Sequence, residues 1–591
     1  MSQYAIELCC LIIDDFFGPV VATTVKTLLF HGRLSLSEIC KISELHPKSV
    51  KEALVVLIQH HFVLFSTTYD GLCELTYYEA TWKEILNLLR YGKEILIVSQ
   101  KISNEARKCL SYAGEILKYI HYYGKVKVHN LYNVFCPSKN KNSKTYISIQ
   151  STITKMLQQK YLRVVLPHQI KPEYDLQNQL KNEELEKLRF YGMGEAKRDK
   201  EALKNMQKRL QILKDEEMDP KLGLVKKDIN STERKFKKQK KTDELTYIVD
   251  EKAILRVNHE KFVNIYRNAD LLHLVENRIG KVTAQVYQHI LEQLEIQSNN
   301  CCEEADTIAT ISILETLPND IDLSKTFITV LNNETQSIEN VSKKENVSLN
   351  NYYSEKISDS TMIDINEFSN NFFENDINRI EDINYRERLR HIIQHLEALS
   401  KDSYAFLLKV ETKHFGKWKV DYKQMSHLLQ ELQYEEVIEH RFGYVATRLL
   451  RIIREKGKLA SIAFLKQQNI RPILMGLTEV GALDIQEIPR KSERLPSSIF
   501  LLWFHKFSRA KSILIDNIYQ EISYCHRHLK NELKQREKLL VKIERTDVQE
   551  HEKELLPLNE QQELINVRAM EEKILIQIFR LDRIVMILRD Y

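Results

Sequence analysis

Residues 31–65 read HGRLSLSEICKISELHPKSVKEALVVLIQHHFVLF, and each part has a local physical cause. Gly32 suits the left-handed backbone that ends a helix. Ser35, with Glu38 three residues on, is a capping box that opens a short helix. Pro47 fits the first turn of a second helix, where Val50, Leu54, Leu57 and Ile58 recur at helical spacing. The following FVLFSTTYDGLCELTYY shifts toward period two and turns at Asp70-Gly71, a hairpin signal. With the helical QYAIELCCLIIDDFF and VVATTVKTLLF before it, broken at Gly18-Pro19, the order is that of a winged-helix unit.

The same grammar returns along the chain. YGKV (123–126) precedes HNLYNVF, a polar loop, the helical YISIQSTITKMLQQ and the strand-like YLRVVL. KGKL (456–459) precedes ASIAFLKQQ, RPILMGLTEV and GALDIQEI. HGRL, YGKV and KGKL are therefore equivalent corners, and HHFVLF, KYLRVV and VGALDI equivalent exits into a wing. The spacing is irregular, which excludes a solenoid and points to several copies of one small domain.

A chain of 591 residues has room for about four domains. Its 15 Gly and 11 Pro are few, which favours helices. A net charge of +5 is slight for this length, so nucleic-acid contact has to come from local patches. The nine cysteines show no CxxC and no Cys/His spacing of zinc type, and read as buried thiols of a reducing compartment. No metal or cofactor is expected. The N-terminal LCCLII ends at Asp14-Asp15, and no run approaches a membrane span.

These observations predict a mainly α protein with small β wings: four tandem winged-helix domains followed by a C-terminal antiparallel coiled-coil hairpin. The expected boundaries are 1–92, 93–170, a charged linker with an exposed helix at 171–249, 250–423, 424–510 and the hairpin at 511–591. The third copy lacks the Gly-basic-apolar corner. It carries an Asn- and Ser-rich insertion at 332–384 whose composition predicts disorder. In the hairpin, Ile515, Ile518, Ile522 and Leu529 keep three-four spacing on one helix. Leu564, Val567, Ile574, Ile578, Leu581, Val585 and Leu588 keep it on the other.

No catalytic constellation is present: the chain has no GxxxxGK[ST], HExxH or GxSxG. The basic residues are more informative. Lys48 and Lys51 lie on the first copy's reading helix, and Lys417, Trp418 and Lys419 in the third wing. Arg490, Lys491 and Arg494 lie in the fourth wing, and all eight are candidates for DNA backbone contact. Arg234, Lys235, Lys237, Lys238, Lys240 and Lys241 form a cluster of nuclear-localisation type. For each patch a solvated face is the alternative reading.

The chain resembles the third-largest subunit of RNA polymerase III, a relative of the TFIIE alpha subunit. IELCCLIIDDFFGPVV, KEALVVLIQHHFV, LRYGKEI, IEHRFGYVATRLLRIIREKGKL, EVGALDIQEIPR and IFLLWF carry the likeness from the N-terminus to near residue 510. The resemblance implies a non-catalytic, nuclear subunit that forms a detachable trimer with two smaller subunits on the clamp of the largest subunit. It implies promoter opening and initiation with TFIIIB at tRNA, 5S rRNA and other small RNA genes, with non-specific contacts to promoter DNA. The zinc ribbon of TFIIE alpha has no ligand set here, so a metal is not carried over. A free-standing winged-helix transcription factor and a coiled-coil scaffold are the competing classes.

Overall fold

The computed structural model describes residues 2–591 except 71–72, 106–111, 137–143, 190–193, 219–221, 227–246, 298–305, 319–320, 324–382, 412–414, 460–466, 490–498, 546–547 and 549–555. The chain is mainly helical and forms two compact bodies, 1–262 with 433–590, and 263–432 with Tyr591.

In the first module, helices Gln3–Phe17 and Pro19–His31 lead to β1 (Leu34–Ser35) and the short helix Leu36–Ser43. Helix Pro47–Gln59 and the hairpin of β2 (Val63–Asp70) and β3 (Cys73–Ala80) follow. The local causes read from sequence are in place. The Ser35 N–H donates to Glu38 Oε2 at 2.8 Å, and Val50, Leu54 and Leu57 are buried. β3 lies between β1 and β2, antiparallel to both.

The second module has helix Tyr112–Tyr123, β4 (Val126–Lys127), helices Val128–Phe135 and Lys144–Gln158, and β5 (Leu162–Val164). The chain then leaves the sheet for two charged helices, Glu173–Leu188 and Glu195–Met218, and a ribbon of β6 (Leu224–Lys226) and β7 (Tyr247–Val249). It returns as β8 (Ile254–Val257), which lies between β4 and β5. This corrects two expectations. The stretch 171–249 is not a linker between domains but an excursion inside the second wing. The second module closes at Val257 rather than near 170, because β5 finds its antiparallel partner only there. The two excursion helices pack on each other, and Arg209 bridges Glu183 and Glu184 at 2.9 and 3.0 Å.

The third module, most of it in the second body, has helices His259–Arg278 and Lys281–Gln297. β9 (Ile308–Ala309), helices Thr310–Thr316 and Ile383–Lys401, β10 (Leu408–Glu411) and β11 (Lys417–Lys419) follow. β11 lies between β9 and β10. The insertion expected at 332–384 falls outside the described residues up to 382. In the fourth module, helices Tyr422–Phe442 and Tyr444–Lys456 lead to β12 (Lys458–Leu459), helix Gln467–Glu479, β13 (Asp484–Pro489) and β14 (Ile499–Phe504). β14 lies between β12 and β13, the arrangement of the other three sheets.

The corners share a positive φ, and the exits a hydrogen-bond pattern, as well as a sequence. Gly32, Gly124 and Gly457 have φ of 78°, 75° and 78°, a region costly for any residue with a Cβ. At the exits His61, Lys160 and Gly481 also have positive φ. Each is followed by an N–H that bonds back to the helix: Phe62 to Leu57 O, Tyr161 to Met156 O, and Ala482 to Leu477 O, at 2.8–2.9 Å. Each exit is thus a Schellman cap.

Helices Phe507–Gln535 and Leu558–Asp590 pack together. Ile518, Ile522, Ile574, Ile578, Val585 and Leu588 are buried in the main core of the first body, with Ile515, Leu529 and Leu581 packed against it. Leu564 and Val567 are buried as well. That core also holds Ile12, Val25 and Leu54 of the first module and Tyr434, Leu450 and Leu477 of the fourth. The first and last thirds of the chain therefore share one apolar interior.

Candidate nucleic-acid and subunit interfaces

Pro47 starts the first module's reading helix, so the residues just after it face outward. Lys48 and Lys51 are exposed there, without an ion-pair partner among the described residues. Val55 is 68% exposed on the same helix. The far end of this helix is occupied, because the second module's corner docks on it. The Lys125 N–H donates to Gln59 O at 3.0 Å, and Lys125 Nζ donates to Ile58 O at 3.0 Å. The Gln59 amide returns a bond to Lys125 O.

In the third wing, Trp418 is not part of an exposed backbone-contacting tip. Trp418 is 2% exposed, and its indole N–H donates to Thr310 Oγ1 at 2.9 Å. A large aromatic at the centre of a three-stranded wing anchors the sheet, so this ring is core and unavailable to a base. Lys417 is exposed and pairs with Glu411 at 2.8 Å, and Lys419 is half-buried. Arg490, Lys491 and Arg494, and the cluster from Arg234 to Lys241, lie outside the described residues.

Three features were not anticipated. A buried guanidinium, Arg90, joins the 3-10 turn Asn87–Arg90 to the C-terminal helix through Asp582 at 2.9 Å and Asp590 at 2.6 Å. An aromatic patch on the second module combines Tyr119, Tyr122, Tyr123 and Phe135, with ring centroids 4.4–5.9 Å apart and Tyr122 74% exposed. A cavity of about 40 Å³ is lined by His60, His61, His121, Lys125, Arg256 and His259. The adjacent pair His60-His61 was the only signal of it in the sequence, since the other members come from distant segments.

The electrostatics of that cavity are internally matched. Glu94, 1% exposed, meets His259 Nδ1 at 2.9 Å and His121 Nε2 at 3.1 Å. Burial works against its charge, but the two imidazoles outweigh it and hold the carboxyl at about 2. Among the described residues no group of His, Cys, Asp and Glu is placed to hold a metal ion. No described helix is long and apolar enough to cross a membrane.

Comparison with known proteins decides between the readings. A family model for RNA polymerase III subunit RPC82 matches residues 151–429. The helix-turn-helix domain of the same subunit matches 7–68, and the C-terminal winged-helix domain of POLR3C matches 434–505. A Yarrowia lipolytica protein, "DNA-directed RNA polymerase III subunit RPC3", is 28% identical over 100% of this chain and 98% of its own length. Subunits of that name from Coccidioides immitis and Botryotinia fuckeliana are 26% and 25% identical, with 100% of both chains covered.

The chain belongs to this family of RNA polymerase III subunits. The helix-turn-helix match covers the first module into β2, and the winged-helix match covers the fourth through β14. As a member of the family the chain is a subunit of RNA polymerase III.

Proposed function

We propose that four tandem winged helices and a C-terminal antiparallel coiled-coil hairpin make this chain an initiation platform on RNA polymerase III. It joins two smaller subunits in a detachable heterotrimer on the clamp of the largest subunit. There it acts with TFIIIB in promoter opening at tRNA, 5S rRNA and other small RNA genes. The observation that carries this reading is the recurrence of one sheet order in four modules, two of them tied into a single core with the terminal helices. Modules joined in this way offer broad protein surface. Contacts to promoter DNA are non-specific phosphate contacts, with Lys48, Lys51, Lys417 and Lys419 as candidates, joined by Arg490, Lys491 and Arg494 of the fourth wing. The Arg234 to Lys241 cluster serves nuclear entry.

Affinity purification of the tagged native chain, followed by a promoter-opening assay with polymerase lacking and regaining it, tests this. The expected result is co-purification of the large polymerase subunits and two smaller ones, and restoration of opening by the returned chain. Purification of the chain alone, with specific promoter binding, would replace the proposal with a free-standing factor.

A further inference from the structure

We propose that the histidine-lined cavity between the first and second modules is a proton-operated joint, which holds the modules together while His60, His61 and His121 are neutral and releases them when these three are charged. The two modules meet here main chain to main chain. A Cβ built on Gly124 would lie 2.5 Å from Gln59 O and 2.8 Å from His60 Cα, so the backbones touch at this point.

Each histidine has a distinct environment. His60 packs between the rings of Phe17 and Phe62, with centroids 4.7 and 5.5 Å away. Burial, and secondarily His121, push its pKa down to about 4. His61 Nδ1 is buried without a hydrogen-bond partner. Burial first, then Arg256 and Lys125, hold His61 near 3 against the opposing pull of Glu84. His121 is lowered by burial, although Glu94 resists. His259 behaves oppositely: burial works against its charge, but Glu94 and Glu84 raise its pKa.

The carboxylates facing the cavity are already committed. Glu84 pairs with Arg256 at 3.7 Å, and Glu94 is shared by His259 and His121. Behind them, Arg163 is held by Glu217 at 3.6 Å and Glu260 at 3.9 Å. Burial and Arg256 also lower Lys125, to about 8. Charging His60 and His61 therefore adds positive charge beside Arg256 and Lys125 with Glu84 already paired, and charging His121 puts a second imidazolium on the Glu94 that His259 already holds.

The sign follows from linkage. His60, His61 and His121 have folded pKa values below their ordinary 6.5, so the open joint binds more protons than the closed one. Closure is then lost as pH falls below 6.5 toward about 4. The raised His259 acts in reverse, favouring closure below 6.5 and losing that contribution as pH rises through its folded value. Below pH ~6 His259 is charged in both states and drops out of the slope, and each lowered histidine that charges only on opening shifts the opening constant up to about tenfold per pH unit.

Hydrogen exchange of the full chain at pH 7.5, 6.5 and 5.5, corrected for intrinsic exchange, reads this directly. Amides of 47–62 and 112–127 are expected to lose protection as pH falls, while those of 507–535 keep theirs. His60→Gln with His61→Gln should flatten the response. Glu94→Gln, which strips His121 and His259 of their counter-ion, should shift opening to higher pH. Unchanged wild-type protection to pH 5.5 overturns the proposal, as does an identical response in the glutamine pair. Should the pair fail to fold, Glu94→Gln alone decides by the direction of its shift.

Discussion

Replacing Arg90 by methionine tests what holds the end of the chain to its beginning. The guanidinium is 2% exposed; Nε and Nη2 each reach Asp582 at 2.9 Å, and Nη1 reaches Asp590 at 2.6 Å. Burial opposes its charge, but the two carboxylates outweigh that and raise its pKa. In the variant Asp582, itself 3% exposed, keeps its burial and loses its counter-charge, whereas Asp590 keeps Arg589 at 2.6 Å. Breaking a buried pair from one side costs about 3–5 kcal/mol. As an opening equilibrium for the C-terminal helix, that is roughly a hundred- to several-thousand-fold. Hydrogen exchange of 558–590 in the full chain is the assay, because a chain with two bodies has no single unfolding equilibrium. Adding Asp582→Asn to the methionine variant should restore part of the loss, since the stranded charge is then gone. A cost below about 1 kcal/mol, or strict additivity of the two changes, would refute the reasoning.

Other perturbations follow from the same geometry. Gly124→Ala combines positive φ with a Cβ 2.5 Å from main chain, and should loosen 112–127 to exchange more than Gly18→Ala, whose site has nothing within 4 Å. The second change measures backbone strain without a clash, about 1–3 kcal/mol for an extended positive-φ site. Trp418→Ala should cost the second body about 3–5 kcal/mol in thermal unfolding and leave the salt dependence of DNA binding unchanged. Retained stability with lost DNA affinity would return Trp418 to the wing tip. Lys48→Ala with Lys51→Ala should weaken binding equally on unrelated duplexes and reduce the salt slope by about two. Discrimination of roughly a thousandfold between sequences would show base reading instead.

Much of this architecture was legible because its signals are local. Gly32, Gly124 and Gly457 announce the corners, since only the chain's own sterics decide where positive φ is cheap. The apolar spacing along the terminal helices marks residues that are buried or packed on core. What failed depends on distant partners. Ile254–Val257 reads equally well as the start of one module or the end of another, and only its pairing with Val126–Lys127 and Leu162–Val164 decides. The excursion was misread as a linker because its helices are strongly charged. Trp418 between Lys417 and Lys419 has the local pattern of an exposed tip, yet period two in a strand sends the middle residue inward. The histidine cavity draws on segments as far apart as His60 and His259, which no window of sequence joins.

The basic residue of the corner motif bears most directly on function. In the first module Arg33 lies over the Tyr77 ring, 4.8 Å from its centroid, and pairs at 2.5 Å with Asp175 of the second module's excursion. In the second module Lys125 caps the carbonyl end of the first module's reading helix at Ile58. A cation there also meets the negative end of the helix dipole. Both corner cations are therefore spent on joining neighbours. The helix they brace presents Lys48, Lys51 and Val55 outward while Gln59 is held by Lys125. A reading helix lies in a major groove and aims several side chains at base edges. Two lysines near one end and a valine between them and a blocked terminus suffice for phosphates and fall short of a base code. Under the proposed function, modules built in this way contribute phosphate contacts and leave the choice of promoter to other proteins.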